Sequence, residues 1–181
     1  GCGHWGKNHV RNFHALGALA AVADANPDLA ASMSETYDVP VKDYAAILAD
    51  PAISGVVIAA PAEAHAALAI QALEAGKHVF VEKPLALTVA EAEGVLAAAE
   101  AAGRLLMVGH LLQYHPAFIK LTEMVRGGEL GQLQYLYSNR LNLGKIRREE
   151  NALWSFAPHD ISMILALVGD APTAVRAEGG S

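Results

Sequence analysis

The chain of 181 residues is 53% hydrophobic and 18% charged, the balance of a globular protein with one or two small domains. Its net charge of −6 argues against a general nucleic-acid binder, no apolar run approaches the roughly 18 residues of a membrane span, and no basic-then-apolar leader heads it. The single cysteine, Cys2, excludes an internal disulfide and fits a reducing cytoplasm, and with a first residue other than methionine the chain is expected to be a piece of a longer protein.

The first stretch, Gly1-Cys2-Gly3-His4-Trp5-Gly6, has the spacing G-x-G-x-x-G, and a helix is expected to open directly from it over residues 5–16. Residues 19–23 form a short apolar run ending at Asp24, read as a buried strand. Asn26 is placed to cap, and Pro27 to begin, a helix running to about Tyr37. Asp43 can cap a shorter helix through Leu48. Residues 53–60 are a second buried strand, and residues 63–74 a helix closed by Gly76. Residues 78–81 give a third strand, Thr88 and Glu91 a capping box for a helix stopping near Gly103, and residues 105–108 a fourth strand. Strands alternating with helices, and apolar on both faces, predict an α/β fold: a parallel sheet covered on both sides, as in a Rossmann dinucleotide-binding domain.

After Pro116 the pattern changes. A helix is expected to about Val125, with Gly127 and Gly128 behind it. Residues 133–142 read as a longer strand of mixed polarity, the kind found in antiparallel sheets, followed by a polar loop, a helix over 159–167 and the start of a strand at Thr173. The boundary falls near 110–118. Residues 1–112 then make the dinucleotide-binding domain, and 113–181 the beginning of an α+β domain for substrate and catalysis.

A fingerprint of three glycines needs context to mean anything, and here it has a helix after it and an acidic residue about 20 positions on. Gly1 would permit the tight turn, Gly3 the approach of backbone to a pyrophosphate, and Gly6 the packing of helix on sheet. The helix N-terminus offers N–H groups and a positive dipole end to the phosphates. Asp24 can accept hydrogen bonds from ribose hydroxyls, and its charge repels a 2′-phosphate, which predicts NAD rather than NADP. The strand that should precede the glycines is central in the usual sheet order, so a gap is expected between residues 19–23 and 53–60. His4, His9 and His14 recur every five residues and do not share a helix face, so no metal site is expected.

The stretch over residues 56–88 carries a more specific pattern: Ala60-Pro61, His65, Ala75-Gly76-Lys77-His78 and Glu82-Lys83-Pro84. It resembles the Gfo/Idh/MocA family of nicotinamide-dependent oxidoreductases, in which a strand ends at a small-residue-Pro turn and a later one at Glu-Lys-Pro. With the glycines and Asp24, the resemblance covers essentially the whole chain. It implies NAD as cofactor, held by Gly1, Gly3, His4, Trp5, Gly6, Asp24, Ala60, Pro61, His65, Glu82 and Lys83, and a cis bond between Lys83 and Pro84. It also implies that the first strand and most of the C-terminal sheet lie outside this chain. Chemically, a lysine at the carboxyl end of a parallel strand sits where open α/β sheets build their crevice, and its charge suits a developing alkoxide.

In the same family an Asp-x-Gly-x-His pattern marks the catalytic helix. His159 matches the histidine, but Ser155 and Ala157 stand at the aspartate and glycine positions. An ordinary histidine, with a pKa near about 6.5, is mostly neutral at pH 7 and can accept a hydroxyl proton. The resemblance places Tyr114 beside the nicotinamide end of the cleft. Asn139, Arg140, Arg147 and Arg148, with Lys145, read either as a grip on an anionic substrate or as a solvated basic loop. The run from Asn139 to Asp160 is similar to members that oxidise the C3 hydroxyl of UDP-N-acetylhexosamines. The expectation is thus an NAD-dependent dehydrogenase acting on a secondary hydroxyl of a sugar or nucleotide sugar, cytoplasmic, homo-oligomeric when full-length, with no nucleic-acid or membrane partner. Two alternatives stay open: an NAD-dependent glycosidase of the same family, and a non-catalytic nucleotide-binding sensor.

Overall fold

In the computed structural model, which describes residues 1–141 and 152–179, most helices begin where the sequence supplies a cap. Helix α1 (Gly6–Ala15) opens from the glycines with no side-chain cap. For α2 (Pro27–Tyr37), the Asn26 side chain accepts the Asp28 N–H at 2.9 Å, and for α3 (Tyr44–Ala49), Asp43 accepts that of Ala46 at 2.6 Å. Strand β1 (Gly55–Ile58) leads through a 3₁₀ turn into α4 (His65–Glu74), then β2 (His78–Val81). The expected capping box forms at Thr88 and Glu91, starting α5 (Val89–Ala102), which ends at Gly103 with φ of +59° before β3 (Leu106–Val108).

The described residues fall into two units, Gly1–Gly109 and His110–Ser181. In the first, the three strands make a parallel sheet ordered β1-β2-β3, with Gly55 opposite His78 and Val81 opposite Val108. One face is closed by α4 and α5. Val79 and Val81 point into that side, against Ala66, Ala69, Ala72 and Leu73 of α4 and Val95 and Ala99 of α5. The alanines keep the helices close to the strands and to each other, so a dense core forms from small side chains.

The other face departs from the expectation of equal cover. Residues 19–23 form no strand; they make a single parallel bridge, Val22 to Val41. Between them and β1 lies a cavity of about 520 Å³, bordered by Val10, Phe13, Leu19, Ala21, Val57 and Phe80. The expected gap is therefore present, and the two segments do not pair with each other. The physical reason is the ladder itself: with β1 hydrogen-bonded only to β2, residues 19–23 have no adjacent strand to propagate along. The half-burial of Val56 and Val57 follows from the same opening.

The second unit holds a 3₁₀ turn (Leu111–Tyr114), α6 (Pro116–Arg126) and α7 (Ala152–Val168). His115 caps α6, its Nδ1 accepting the Ala117 N–H at 3.2 Å, and Gln113 donates to the Ser162 carbonyl at 2.9 Å. Two sequence expectations fail here. Neither residues 133–141 nor the segment from Thr173 to Gly179 forms a strand, so the antiparallel sheet is not seen among the described residues. A strand needs a hydrogen-bonded neighbour, and the described part of this unit supplies none. Helix α7 also starts seven residues early and contains Pro158. An internal proline ordinarily costs a helix about 3 kcal/mol, and the 17-residue helix runs through it.

Asp160 on α7 anchors the irregular segment before the undescribed residues. It accepts from Ser138 Oγ and from Arg140 Nε, each at 2.7 Å. Burial works to raise the Asp160 pKa, but the bonds from Arg140 and Ser138, with the nearby positive charge, hold it below the usual carboxylate range. A folded value below the unfolded one adds stability above the unfolded pKa of about 3.9 and loses it as pH falls through the folded value. Asp160→Asn should therefore lower the melting temperature at pH 7, with the difference from the parent closing below about pH 4. Melting curves of both proteins from pH 3 to 8 check this; a constant offset at all pH values contradicts it.

Candidate functional site

The site in the first unit is built on two turns, the glycine turn, whose Gly1 stands against the residue after β1, and the turn that follows β2. At the glycine turn, each glycine meets a different constraint. A side chain on Gly6 would overlap the Gly1 carbonyl, and one on Gly1 would stand 2.6 Å from the Ala59 carbonyl oxygen. Closure of the turn thus falls on Gly6, and close approach to the end of β1 on Gly1. Nothing lies within 4 Å of a side chain built on Gly3, so the space beside its Cα is open, while its carbonyl accepts the Lys7 N–H at 3.1 Å. That open space, at the start of a ten-residue helix without a side-chain cap or a first-turn acid, suits an anionic ligand such as a pyrophosphate. His4 and Trp5 are exposed in the turn, their rings 6.5 Å apart.

Asp24 ties the second segment to the turn. Its Oδ2 accepts the Cys2 N–H at 2.5 Å, and its Oδ1 the Asn26 N–H at 2.7 Å. Each carboxylate oxygen retains a lone pair for a further donor, so the group can still accept from a ribose hydroxyl. Cys2 is buried, and burial raises its thiol pKa, which makes it a packing residue beside Val10 and Val22.

The second turn is Glu82-Lys83-Pro84, directly after β2, with the cis Lys83–Pro84 bond that the resemblance implies. His65 staples it to the Ala60–Pro61 turn that follows β1. Buried to 2% exposure, it sets Nδ1 at 2.7 Å from the Pro84 carbonyl oxygen and Nε2 at 2.8 Å from that of Ala60. Both nitrogens are engaged by backbone, so His65 shapes the Ala60–Pro61 and Lys83–Pro84 turns rather than reaching outward. Lys77 is likewise a strut, its Nζ donating to the Asp50 carbonyl at 2.6 Å.

One contact escaped the sequence. His9 Nε2 lies 2.7 Å from Oε1 of Glu82, a carboxylate only 6% exposed. The signal was there: His9 follows Gly6 by three residues, on the α1 face that looks toward the sheet. It was obscured by treating His4, His9 and His14 as one series. They diverge instead, His4 beside Trp5, His9 on Glu82 and Phe80, and His14 against Tyr37.

In the second unit, His159 lies on α7 with its ring 6.2 Å from that of His110, edge to face. Tyr114 is 62% exposed at the end of the 3₁₀ turn. Asn139 is exposed, and Arg140 is bound to Asp160 through Nε rather than presented as an isolated cation. Lys145, Arg147 and Arg148 lie outside the described residues, and for Ser155 the position within α7 is described but not the side chain.

Comparison with known proteins gives a consistent result. The family described as "Oxidoreductase family, NAD-binding Rossmann fold" (Gfo/Idh/MocA) matches residues 1–110. The chain is 32% identical over 181 residues to the UDP-N-acetylglucosamine 3-dehydrogenase of Acidithiobacillus ferrooxidans, covering 99% of this chain and 56% of that protein. A solved structure of the same enzyme superposes with a TM-score of 0.90, over 100% of this chain and 59% of the other, also at 32% identity. Levoglucosan dehydrogenase, solved with NADH and levoglucosan, gives a TM-score of 0.80 at 30% identity, covering 94% of this chain and 53% of that one. The inositol 2-dehydrogenase of Salmonella typhimurium is 29% identical over 94% of this chain and 53% of its own length. The chain thus spans about half the length of the curated relatives it matches. Among the described residues, no helix is long and apolar enough to cross a membrane.

Proposed function

The chain belongs to the Gfo/Idh/MocA oxidoreductase family with an NAD-binding Rossmann fold, and from that premise we propose that its parent protein is an NAD-dependent dehydrogenase of a sugar secondary hydroxyl. The observation that carries the proposal is the Glu82-Lys83-Pro84 turn, held at the end of β2 by His65, together with a glycine turn that leaves open space beside Gly3. Bound NAD supplies the hydride acceptor, chemistry that no protein side chain provides. Oxidation of the alcohol releases a hydride from carbon and a proton from oxygen, leaving a ketone. Lys83 donates a hydrogen bond to that oxygen and stabilises its developing charge, and His159 receives the proton. The N-terminus of α1 and Asp24 orient the cofactor, the first at the phosphates and the second at the adenosine ribose.

The finer reading is oxidation at C3 of a UDP-N-acetylhexosamine. It is supported by the likeness to the Acidithiobacillus enzyme and by the basic run Lys145, Arg147 and Arg148, suited to a diphosphate. The test is NADH formation by the full-length protein with UDP-N-acetylglucosamine, free N-acetylglucosamine and myo-inositol. Preference for the UDP-sugar supports the reading; equal turnover of free and UDP-linked sugar overturns its finer part. Glycoside cleavage without net NADH points instead to the glycosidase branch, and NADH binding without turnover of any sugar to a sensor. Arg147→Ala with Arg148→Ala should raise KM for the UDP-sugar by about tenfold, the loss of two charge contacts to its diphosphate. That effect should shrink as salt rises, with little change in KM for NAD.

Cofactor choice is a separate check. Asp24 is followed by Ala25 and Asn26, with no arginine to accept a 2′-phosphate. The parent should bind NADH more tightly than NADPH by fluorescence titration, and Asp24→Ser with Ala25→Arg should narrow the ratio by about tenfold or more. Equal affinity of the unmodified protein for both would remove Asp24 from the ribose.

A further inference from the structure

We infer that His9 is a positioning residue for Lys83, joining the helix that starts at the glycine turn to the turn that carries the lysine. The inference rests on the reading of Lys83 given above. Its basis is the set of contacts around the Glu82 carboxylate. Glu82 is fixed to the sheet, its N–H donating to the Ile58 carbonyl at 2.9 Å. Its Oε1 meets His9 Nε2 at 2.7 Å, and its Oε2 accepts the Lys83 N–H at 3.3 Å. On a third side stands Gly109, where a side-chain carbon would lie 3.0 Å from the carboxylate. The His9 ring is itself held edge to face against Phe80, with centroids 5.1 Å apart.

A carboxylate so little exposed requires donors, and its orientation follows them. His9 supplies a short bond from α1, while the Lys83 amide supplies a longer one from the turn. The carboxylate therefore links the main chain of Lys83 to α1, the helix whose first turn faces the phosphate site. Loss of His9 leaves Glu82 with the weaker partner, frees it to rotate, and releases the peptide that aims Lys83. Gly109 completes the arrangement, because any side chain there would press on the carboxylate from behind.

The test uses the full-length protein and needs no sugar. Acetylation of Lys83 by an amine-directed reagent is followed by peptide mass spectrometry with and without saturating NADH, and NADH affinity is measured by fluorescence. In the parent, NADH should slow Lys83 acetylation by about tenfold, because the lysine is drawn against the cofactor. In His9→Ala the protection should fall to about twofold, while NADH affinity changes by less than about threefold, the worth of less than one hydrogen bond. His9→Gln places an amide N–H close to the former Nε2 and should restore much of the protection. Gly109→Ala, which leaves His9 in place, should reproduce the loss.

Protection in His9→Ala equal to the parent's overturns the inference and leaves the role of Lys83 intact. So does a loss of NADH affinity as large as the loss of protection, which would make His9 a support of the glycine turn. Absence of NADH protection in the parent overturns the reading of Lys83 instead. If His9→Ala does not fold, the Gln and Gly109→Ala variants decide: parental behaviour of Gly109→Ala, or no difference between His9→Gln and a His9→Phe variant that keeps only the ring packing, refutes the coupling.

Discussion

Lys83→Ala is expected to lower kcat of the full-length protein by about 10²–10⁴-fold, while the affinity for NADH changes little. The size follows from where the charge is needed. An alcohol that loses its hydroxyl proton as hydride leaves the carbon passes through an oxygen richer in negative charge than in the bound alcohol, and a fixed ammonium stabilises that transition state more than the ground state. Lys83→Arg should not rescue it, because the planar guanidinium cannot take the place of a compact ammonium on a turn held by His65 and Glu82. His159→Ala should cost a comparable factor in kcat, and unlike Lys83→Ala its loss should diminish as pH rises and hydroxide replaces the missing base. Steady-state kinetics from pH 6 to 10 separate the two. An effect below a few-fold at His159 would reduce it to a helix residue.

Gly6→Ala is expected to damage the protein in two ways at once. A methyl group at Gly6 overlaps the Gly1 carbonyl, backbone against backbone, so the turn itself must open. Overpacking of this kind costs about 1–3 kcal/mol, and with the turn displaced the affinity for NADH should fall by about 10–100-fold. Gly3→Ala gives the contrast. Nothing in the protein lies within 4 Å of that methyl, so the melting temperature should hold while NADH affinity falls, because the space it enters is the one assigned to the phosphates. Melting curves and NADH titrations of both variants check the pair. A Gly3→Ala protein that binds NADH as the parent does would place the pyrophosphate elsewhere.

The local elements were readable because each rests on interactions within a few residues. The cap at Asn26, the box at Thr88 and Glu91, the left-handed Gly103 and the apolar runs of β1, β2 and β3 use chemistry confined to one segment. The glycine turn with Asp24 and the Glu82-Lys83-Pro84 turn were legible for the same reason, because spacing along the chain largely carries the pattern. Long-range partners were not. Whether residues 19–23 become a strand depends on a neighbour in the sheet, and the structure leaves them with one bridge at Val22. Residues 133–141 have the composition of a strand and no strand to pair with among the described residues. The helix expected over 159–167 begins instead at Ala152, with Pro158 inside it. The pairing of Arg140 with Asp160 and the staple at His65 span 20 and 19 residues, and that of His9 with Glu82 spans 73. Each of these is a bond between side chains or carbonyls that the folded backbone brings within 3 Å. Sequence determined the turns and the residues they present, and only tertiary structure decided which donor meets which acceptor, because hydrogen bonds and close packing depend on distances that residue order does not specify.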